Sequence, residues 1–375
     1  MSADKKYTAA IIGTGRIGFT LGFDKKREQP ASHTFALKQN RRIKLVAGCD
    51  VDEARLNLWG KENKRCRLYS CAKDLFIEER KIAGGVPDIV AIAVNEAFHH
   101  EIALAAIKEQ PKLVVLEKPV ALSSLQAMEI KEAARKNAVP VMINHERRFS
   151  RDYILARSLL GKIGELQSFS ASLHSNLKVW SSKEEESGFY SLLHDGTHLV
   201  DVTLFLLRGV SCDKAVELRN PRPFGFLFDK DKDLRNLSVS YDCDVCPSVT
   251  FNFSGRSDFF GFELDILGTL GRVRMGNGFM EFYESTASRL YTGFRSLEKK
   301  DGSYPLMLGD LVESGRIRRG KFRGKTGYFS GMVQNAVDYL DGRAPLGSTI
   351  DDGIAVLCIL EEMKELLKTE ASKIK

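Results

Sequence analysis

Residues 7–18 read YTAAIIGTGRIG, an apolar run followed at once by Gly13-Thr14-Gly15-Arg16-Ile17-Gly18. Glycines between a strand and a helix allow a tight turn and let main-chain N–H groups approach a pyrophosphate at the helix N-terminus. Alone, G-x-G-x-x-G is a weak signal, so the order of the surrounding elements decides. A second apolar run, 43–49, leads into Asp50, which puts a carboxylate where the ribose hydroxyls of a dinucleotide lie. Asp50 follows Gly18 by 32 residues, against the roughly 20 usual for this acid. An insertion at 24–35 accounts for the excess.

Outward from that stretch, the first part of the chain alternates short apolar runs with amphipathic segments. Strands are expected at 8–12, 43–49, 89–94, 113–117 and 141–144, with helices at 52–63, 97–109 and 123–137, the last capped by Ser123. This is the order of a doubly wound parallel sheet. After about residue 150 the pattern changes to strands at 164–174, 237–245, 249–253, 259–267, 271–275 and 279–284, interrupted by a helix at 189–207 and closed by helices at 328–340 and 352–368. The expected architecture is an α/β Rossmann domain, 1–147, followed by an α+β domain, 148–375, with a large open, mainly antiparallel sheet and the C-terminal helices.

Composition narrows the function classes. A chain of 375 residues, 43% hydrophobic and 28% charged, is ordinary for a globular protein of two domains. Its apolar runs fall short of the ~20 residues of a membrane helix, and the N-terminus reads as a first strand rather than a signal peptide, so no membrane association and a cytoplasmic location are expected. Seven scattered cysteines do not form a secreted disulfide framework. The CxxC of Cys243 and Cys246 has no second pair or nearby histidine to complete a zinc site, and no metal is expected. The net charge of +7 is concentrated in GRIRRGKFRGK at 315–325, which reads as a solvated loop rather than a nucleic-acid surface.

Two further segments carry chemistry. In LVVLEKPVALS (113–123) an apolar run ends in Glu117-Lys118-Pro119, which places Lys118 at the carboxyl end of a parallel strand, where such sheets meet their ligands. In LLHDGTHLVDVTLFLLRG (192–209) His194 and His198 are four apart and share a helical face. Two imidazoles so placed suit acid–base work or metal binding; singly, a histidine is more often structural.

Together, the Gly13 motif, NEAFHHEIALAAI, LEKPVALS, VPVMINHERRFSRDY, GKIGEL and the Gly196-Thr197-His198 segment resemble, in that order, the Gfo/Idh/MocA family of glucose-fructose oxidoreductase and inositol dehydrogenase. The resemblance covers most of the chain. It implies a nicotinamide and substrate site between a Rossmann domain and an open sheet. It matches Lys118 to the catalytic lysine and His198 to the catalytic histidine. His194 stands where the family carries aspartate, next to Asp195, and is taken with them as a catalytic candidate. By the same resemblance Gly13, Gly15, Arg16, Ile17, Gly18, Asp50, Asn95, His99, Glu117 and Lys118 face the cofactor, NAD rather than NADP. Lys118, Arg148, His194, Asp195 and His198 face a small polyhydroxylated substrate, and Phe149 completes a family Arg-Phe pair. A family Thr-Pro turn is Val94-Asn95 here. The implied activity is hydride transfer between nicotinamide and a secondary alcohol of a sugar, inositol or sugar derivative, in a homodimer or homotetramer. The alternative is a catalytically inactive dinucleotide-binding regulator, which would have no need of both Lys118 and His198.

Overall fold

The computed structural model describes residues 6–212, 214–276, 279–300 and 326–373. Two compact units divide them, one within Met1–Ser150 and Arg323–Leu357, the other within Arg151–Phe322 and Cys358–Lys375.

The first unit is built on six parallel strands, β1 Tyr7–Ile12, β2 Ile43–Cys49, β3 Arg67–Tyr69, β4 Ile89–Ile92, β5 Leu113–Leu116 and β6 Val141–Ile143, in the order β3-β2-β1-β4-β5-β6. Every residue of β4 and β5 is buried, as continuous apolar runs covered on both faces must be. The order reverses between β1 and β4, so the crevice for a ligand opens at the carboxyl ends of these two strands. Helices Glu53–Glu62, His99–Lys108 and Ser124–Asn137 occupy the expected stretches, and the Ser123 side chain accepts from the Gln126 N–H as the N-cap. Strand β3 and the helices His33–Gln39 and Ala72–Ala83 are additions to the expected set.

The domain boundary needs one correction. Helix Tyr328–Leu340 was assigned to the second domain, but it belongs to the first unit. Its Phe329, Met332, Val333, Ala336 and Val337 recur at helical spacing and join Tyr7, Ala9, Ile11, Ile89, Ala91, Leu113 and Val115, alternate residues of one sheet face, in a single core. That face is apolar, and this helix shares its cover with Ala36 and Leu37 of His33–Gln39. Asp341, at the helix end, accepts from the Tyr7 hydroxyl at 2.7 Å and from Arg42 at 2.9 Å. The division falls inside the last helix, Ile350–Lys373, whose first turns group with the first unit.

The second unit is an eight-stranded sheet of β7 Leu166–His174, β8 Arg219–Phe228, β9 Leu234–Cys243, β10 Cys246–Ser254, β11 Gly261–Gly268, β12 Gly271–Gly276, β13 Phe279–Ala287 and β14 Arg295–Lys299. Its order is β14-β13-β12-β11-β7-β10-β9-β8, and all neighbours are antiparallel except β7 and β10. Alternation sends Phe169, Ala171, Leu173, Val249, Phe251 and Phe253 into the core and leaves Ser170, Ser172 and Asn252 half-exposed on the other face, linked by hydrogen bonds. Helix Gly196–Val210 lies against β7 and β10. Cys243 and Cys246 face each other across the turn between β9 and β10 as buried free thiols. Among the described residues no helix is long and apolar enough to cross a membrane, and no cluster of three metal-ligating side chains occurs. The basic segment 315–325 lies outside the described residues.

Candidate active site

The glycine turn follows β1 as expected, and its three glycines have different tasks. Gly13 has φ +97°, and a Cβ there would sit 2.4 Å from the Ala93 carbonyl oxygen. A Cβ at Gly18 would sit 2.0 Å from the Gly13 oxygen, so this glycine lets the turn close on itself. At Gly15 the nearest atom to such a Cβ is Arg55 Nη1 at 3.7 Å, which leaves that side open. The Phe19, Thr20 and Leu21 N–H groups donate back to Gly15 and Arg16 in a helical turn. Among the described residues the N–H groups of Gly15, Arg16, Ile17 and Gly18 donate to no protein acceptor. An open glycine beside unsatisfied N–H groups fits the pyrophosphate of a dinucleotide. Arg16 is exposed, whereas Ile17 packs onto the core.

Asp50 follows β2 directly and is buried. Its Oδ2 accepts from the Thr14 N–H at 2.7 Å and the Thr14 hydroxyl at 3.1 Å, and its Oδ1 accepts from the Asp52 N–H at 3.0 Å. The carboxylate thus ties the end of β2 to the glycine turn. Arg55 pairs with Asp52 at 3.3 Å.

Beyond β4, Asn95 is exposed and its side chain accepts from the Ala97 N–H. His99 is buried, with Nδ1 2.6 Å from the Pro119 carbonyl oxygen and Nε2 3.2 Å from that of Val94. Burial lowers the pKa of this imidazole against the pull of the two carbonyls. Both ring nitrogens face main-chain carbonyls, and the neutral ring donates to one of them, so His99 ties together the loops after β4 and β5.

The loop after β5 holds a buried polar cluster. Glu117 is buried; its Oε1 lies 2.6 Å from His33 Nε2 and 2.5 Å from Asn144 Nδ2, and its Oε2 accepts from the Lys118 N–H at 3.3 Å. Burial opposes the charge, but the His33 hydrogen bond and charge, the Lys118 charge and the Asn144 amide outweigh it and hold the carboxyl below its usual range. Lys118 itself is half-exposed. Glu146, after β6, is driven the other way, up to about 7, by desolvation and by the Glu117 charge. His33 and Asn144 were not among the candidates. The available signals were a polar residue ending the apolar run 141–144 and a histidine closing the insertion.

The Arg148-Phe149 pair makes structural contacts. The Arg148 guanidinium is buried, 3.1 Å from the Asp352 carboxylate, with a longer contact to the Gly347 carbonyl. The Phe149 main chain would meet a Cβ at Gly331, and its ring one at Gly347. Both residues hold the returning C-terminal segment.

In the second unit, the helix expected at 189–207 is two helices, Ser191–His194 and Gly196–Val210, meeting at Asp195. The break satisfies local groups: the Asp195 carbonyl accepts from the His198 N–H and the His194 carbonyl from the Thr197 hydroxyl. His198, in the first turn of the longer helix, is buried at 7% exposure, and Asp201 one turn on is buried at 1%. His194 and Asp195 are half-exposed, and the His194 ring lies 6.1 Å from that of Phe189. Gly196 lets the helix start close to the sheet, since a Cβ there would lie 3.1 Å from the Phe253 ring.

Comparison with known proteins agrees with this arrangement. The Gfo/Idh/MocA profile, an oxidoreductase family with an NAD-binding Rossmann fold, matches residues 7–145. The uncharacterized oxidoreductase YfiI of Bacillus subtilis is 31% identical over 166 residues, 42% of this chain and 39% of that protein. The scyllo-inositol 2-dehydrogenase (NADP(+)) IolW of the same organism is 26% identical over 302 residues, 75% of this chain and 77% of that protein. Among solved structures, an oxidoreductase from Agrobacterium radiobacter in complex with NAD+, L-tartaric acid and magnesium superposes with a TM-score of 0.68 at 18% identity, covering 95% of each chain. Residues 7–145, which carry the glycine turn and the Glu117-Lys118-Pro119 loop, are thus similar to the Gfo/Idh/MocA oxidoreductase family.

Proposed function

We propose that this protein is an NAD(P)-dependent dehydrogenase acting on a secondary alcohol of an inositol, sugar or sugar derivative. The observation that carries the reading is Lys118, half-exposed at the carboxyl end of β5, with its main chain hydrogen-bonded to a buried carboxylate. The dinucleotide, when bound, accepts or supplies the hydride. Gly15 and the N–H groups of the glycine turn hold its pyrophosphate. Lys118 hydrogen-bonds the reacting oxygen and stabilises the negative charge that develops there as the proton leaves. His198 takes or returns that proton, and His194 and Asp195 orient neighbouring hydroxyls.

Asp50 favours NAD, because a carboxylate at the ribose repels a 2′-phosphate. Arg55 beside Gly15 works against that preference, and the relative IolW is named for NADP(+). The assembly we propose is a cytoplasmic homodimer or homotetramer. The test is a screen of inositols, sugars and sugar nucleotides with NAD+ and NADP+, read by formation of the reduced nicotinamide. Turnover of a cyclic polyol supports the reading. Tight dinucleotide binding without turnover of any of these classes overturns it in favour of a regulator.

A further inference from the structure

Three polar side chains from distant parts of the first unit converge below Lys118. His33 opens the helix His33–Gln39, Glu117 follows β5 and Asn144 follows β6; they are 1%, 4% and 0% exposed. An ionised carboxylate only accepts hydrogen bonds, so the 2.6 Å contact places a proton on His33 Nε2 and turns the Asn144 amide nitrogen toward Glu117. The cost is visible: among the described residues, His33 Nδ1 and Asn144 Oδ1 are buried without a protein hydrogen-bond partner. For stability alone, apolar side chains of similar volume would serve as well or better than a buried charge with two stranded polar atoms. What the cluster does fix is the carboxylate, whose second oxygen receives the Lys118 N–H.

The inserted segment brings His33 into this position. The chain leaves the glycine turn at Gly18 and returns with the His33 N–H on the Ile17 carbonyl and the Thr34 N–H and hydroxyl on the Gly18 carbonyl. The ring of Phe329 then packs edge-on to His33 at 5.3 Å. The main chain of His33 is thus tied to the glycine turn and its imidazole packed against Phe329 while Nε2 points at Glu117.

We propose that His33 is a positioning residue for the reaction: it holds the Glu117 carboxylate, and through it the main chain of Lys118, in the geometry that aims the lysine at the reacting oxygen. This rests on the reading of Lys118 as the group that acts on that oxygen. Because misplacement of a reacting group by about 1 Å costs about 10²-fold in rate, His33→Ala should lower kcat by roughly 10- to 100-fold while the dinucleotide Kd stays within about twofold. His33→Gln, whose amide nitrogen can take the place of Nε2, should restore most of the loss.

A second readout needs neither substrate nor cofactor. Amide hydrogen exchange at Lys118 should accelerate in His33→Ala, with β1 unchanged, and return toward the wild-type rate in His33→Gln. Equal acceleration in β1 and at Lys118 would make His33 a general stability residue and overturn the proposal. So would unaltered exchange at Lys118, or unaltered kcat. If the wild type turns over no polyol, the dehydrogenase reading falls, and the exchange comparison still decides whether His33 positions Lys118.

Discussion

His33 Nε2 lies 2.6 Å from the Glu117 carboxylate although the two residues are 84 positions apart. The segment that returns to the glycine turn and the Glu117-Lys118-Pro119 loop are thereby joined through one buried hydrogen bond at the carboxyl edge of the parallel sheet. Changes to either loop should separate effects on binding, stability and chemistry as follows.

The glycines of the turn should differ. Gly13→Ala forces a Cβ onto the Ala93 carbonyl at a φ of +97° and should cost more than ~2 kcal/mol of stability. Gly15→Ala meets only Arg55 at 3.7 Å and should stay within ~0.5 kcal/mol of wild type while weakening dinucleotide binding. Denaturant unfolding and cofactor titration of the two variants check this pair; equal losses of stability would contradict it.

Arg148→Ala should act on folding rather than on substrate. It removes a cationic partner from the buried Asp352 carboxylate, which still accepts from the Thr349 N–H and hydroxyl, a loss on the order of 3 kcal/mol. The expected result is a large drop in unfolding midpoint with KM close to wild type in whatever enzyme remains folded. A KM rise without loss of stability would return Arg148 to the substrate.

Glu146 gives a pH signature. Its carboxyl is raised from 4.5 to about 7, so between these values the folded state binds more protons than the unfolded chain. Stability therefore falls as pH rises through that window and levels off above about 7. Glu146→Gln removes the titration, and its stability relative to wild type should climb from pH 4.5 to 7 and then stay flat. Unfolding midpoints across this range measure the difference; a constant offset would show that Glu146 does not titrate there.

Much of the first unit was legible because its central strands are buried on both faces and read as unbroken apolar runs, Ile89–Ile92 and Leu113–Leu116 above all. Strand β3 has three residues and none fully buried, so it gives no such run. In the second unit β8 escaped notice for a related reason: it is an edge strand, RNPRPFGFLF, with two prolines and no fully buried residue. The lysine and histidine positions were visible because each lies within two residues of a glycine or proline at an element end. His33 was not, because its meaning comes from a partner 84 residues away, nor was the Arg148 ion pair, because its acid, Asp352, arrives with the returning C-terminal segment. Helix Tyr328–Leu340 showed its periodicity plainly, but periodicity says that a face is buried and not against which unit.

The most direct test of the account is Lys118→Ala, with kcat and dinucleotide Kd measured on the same preparation against a polyol substrate found in the screen. Removing a donor that acts on the oxygen only as its charge develops should lower kcat by about 10²-fold or more and leave Kd within about twofold. An unchanged kcat with a weakened Kd would contradict it, making Lys118 a cofactor-binding residue and leaving the Glu117 cluster without a catalytic purpose.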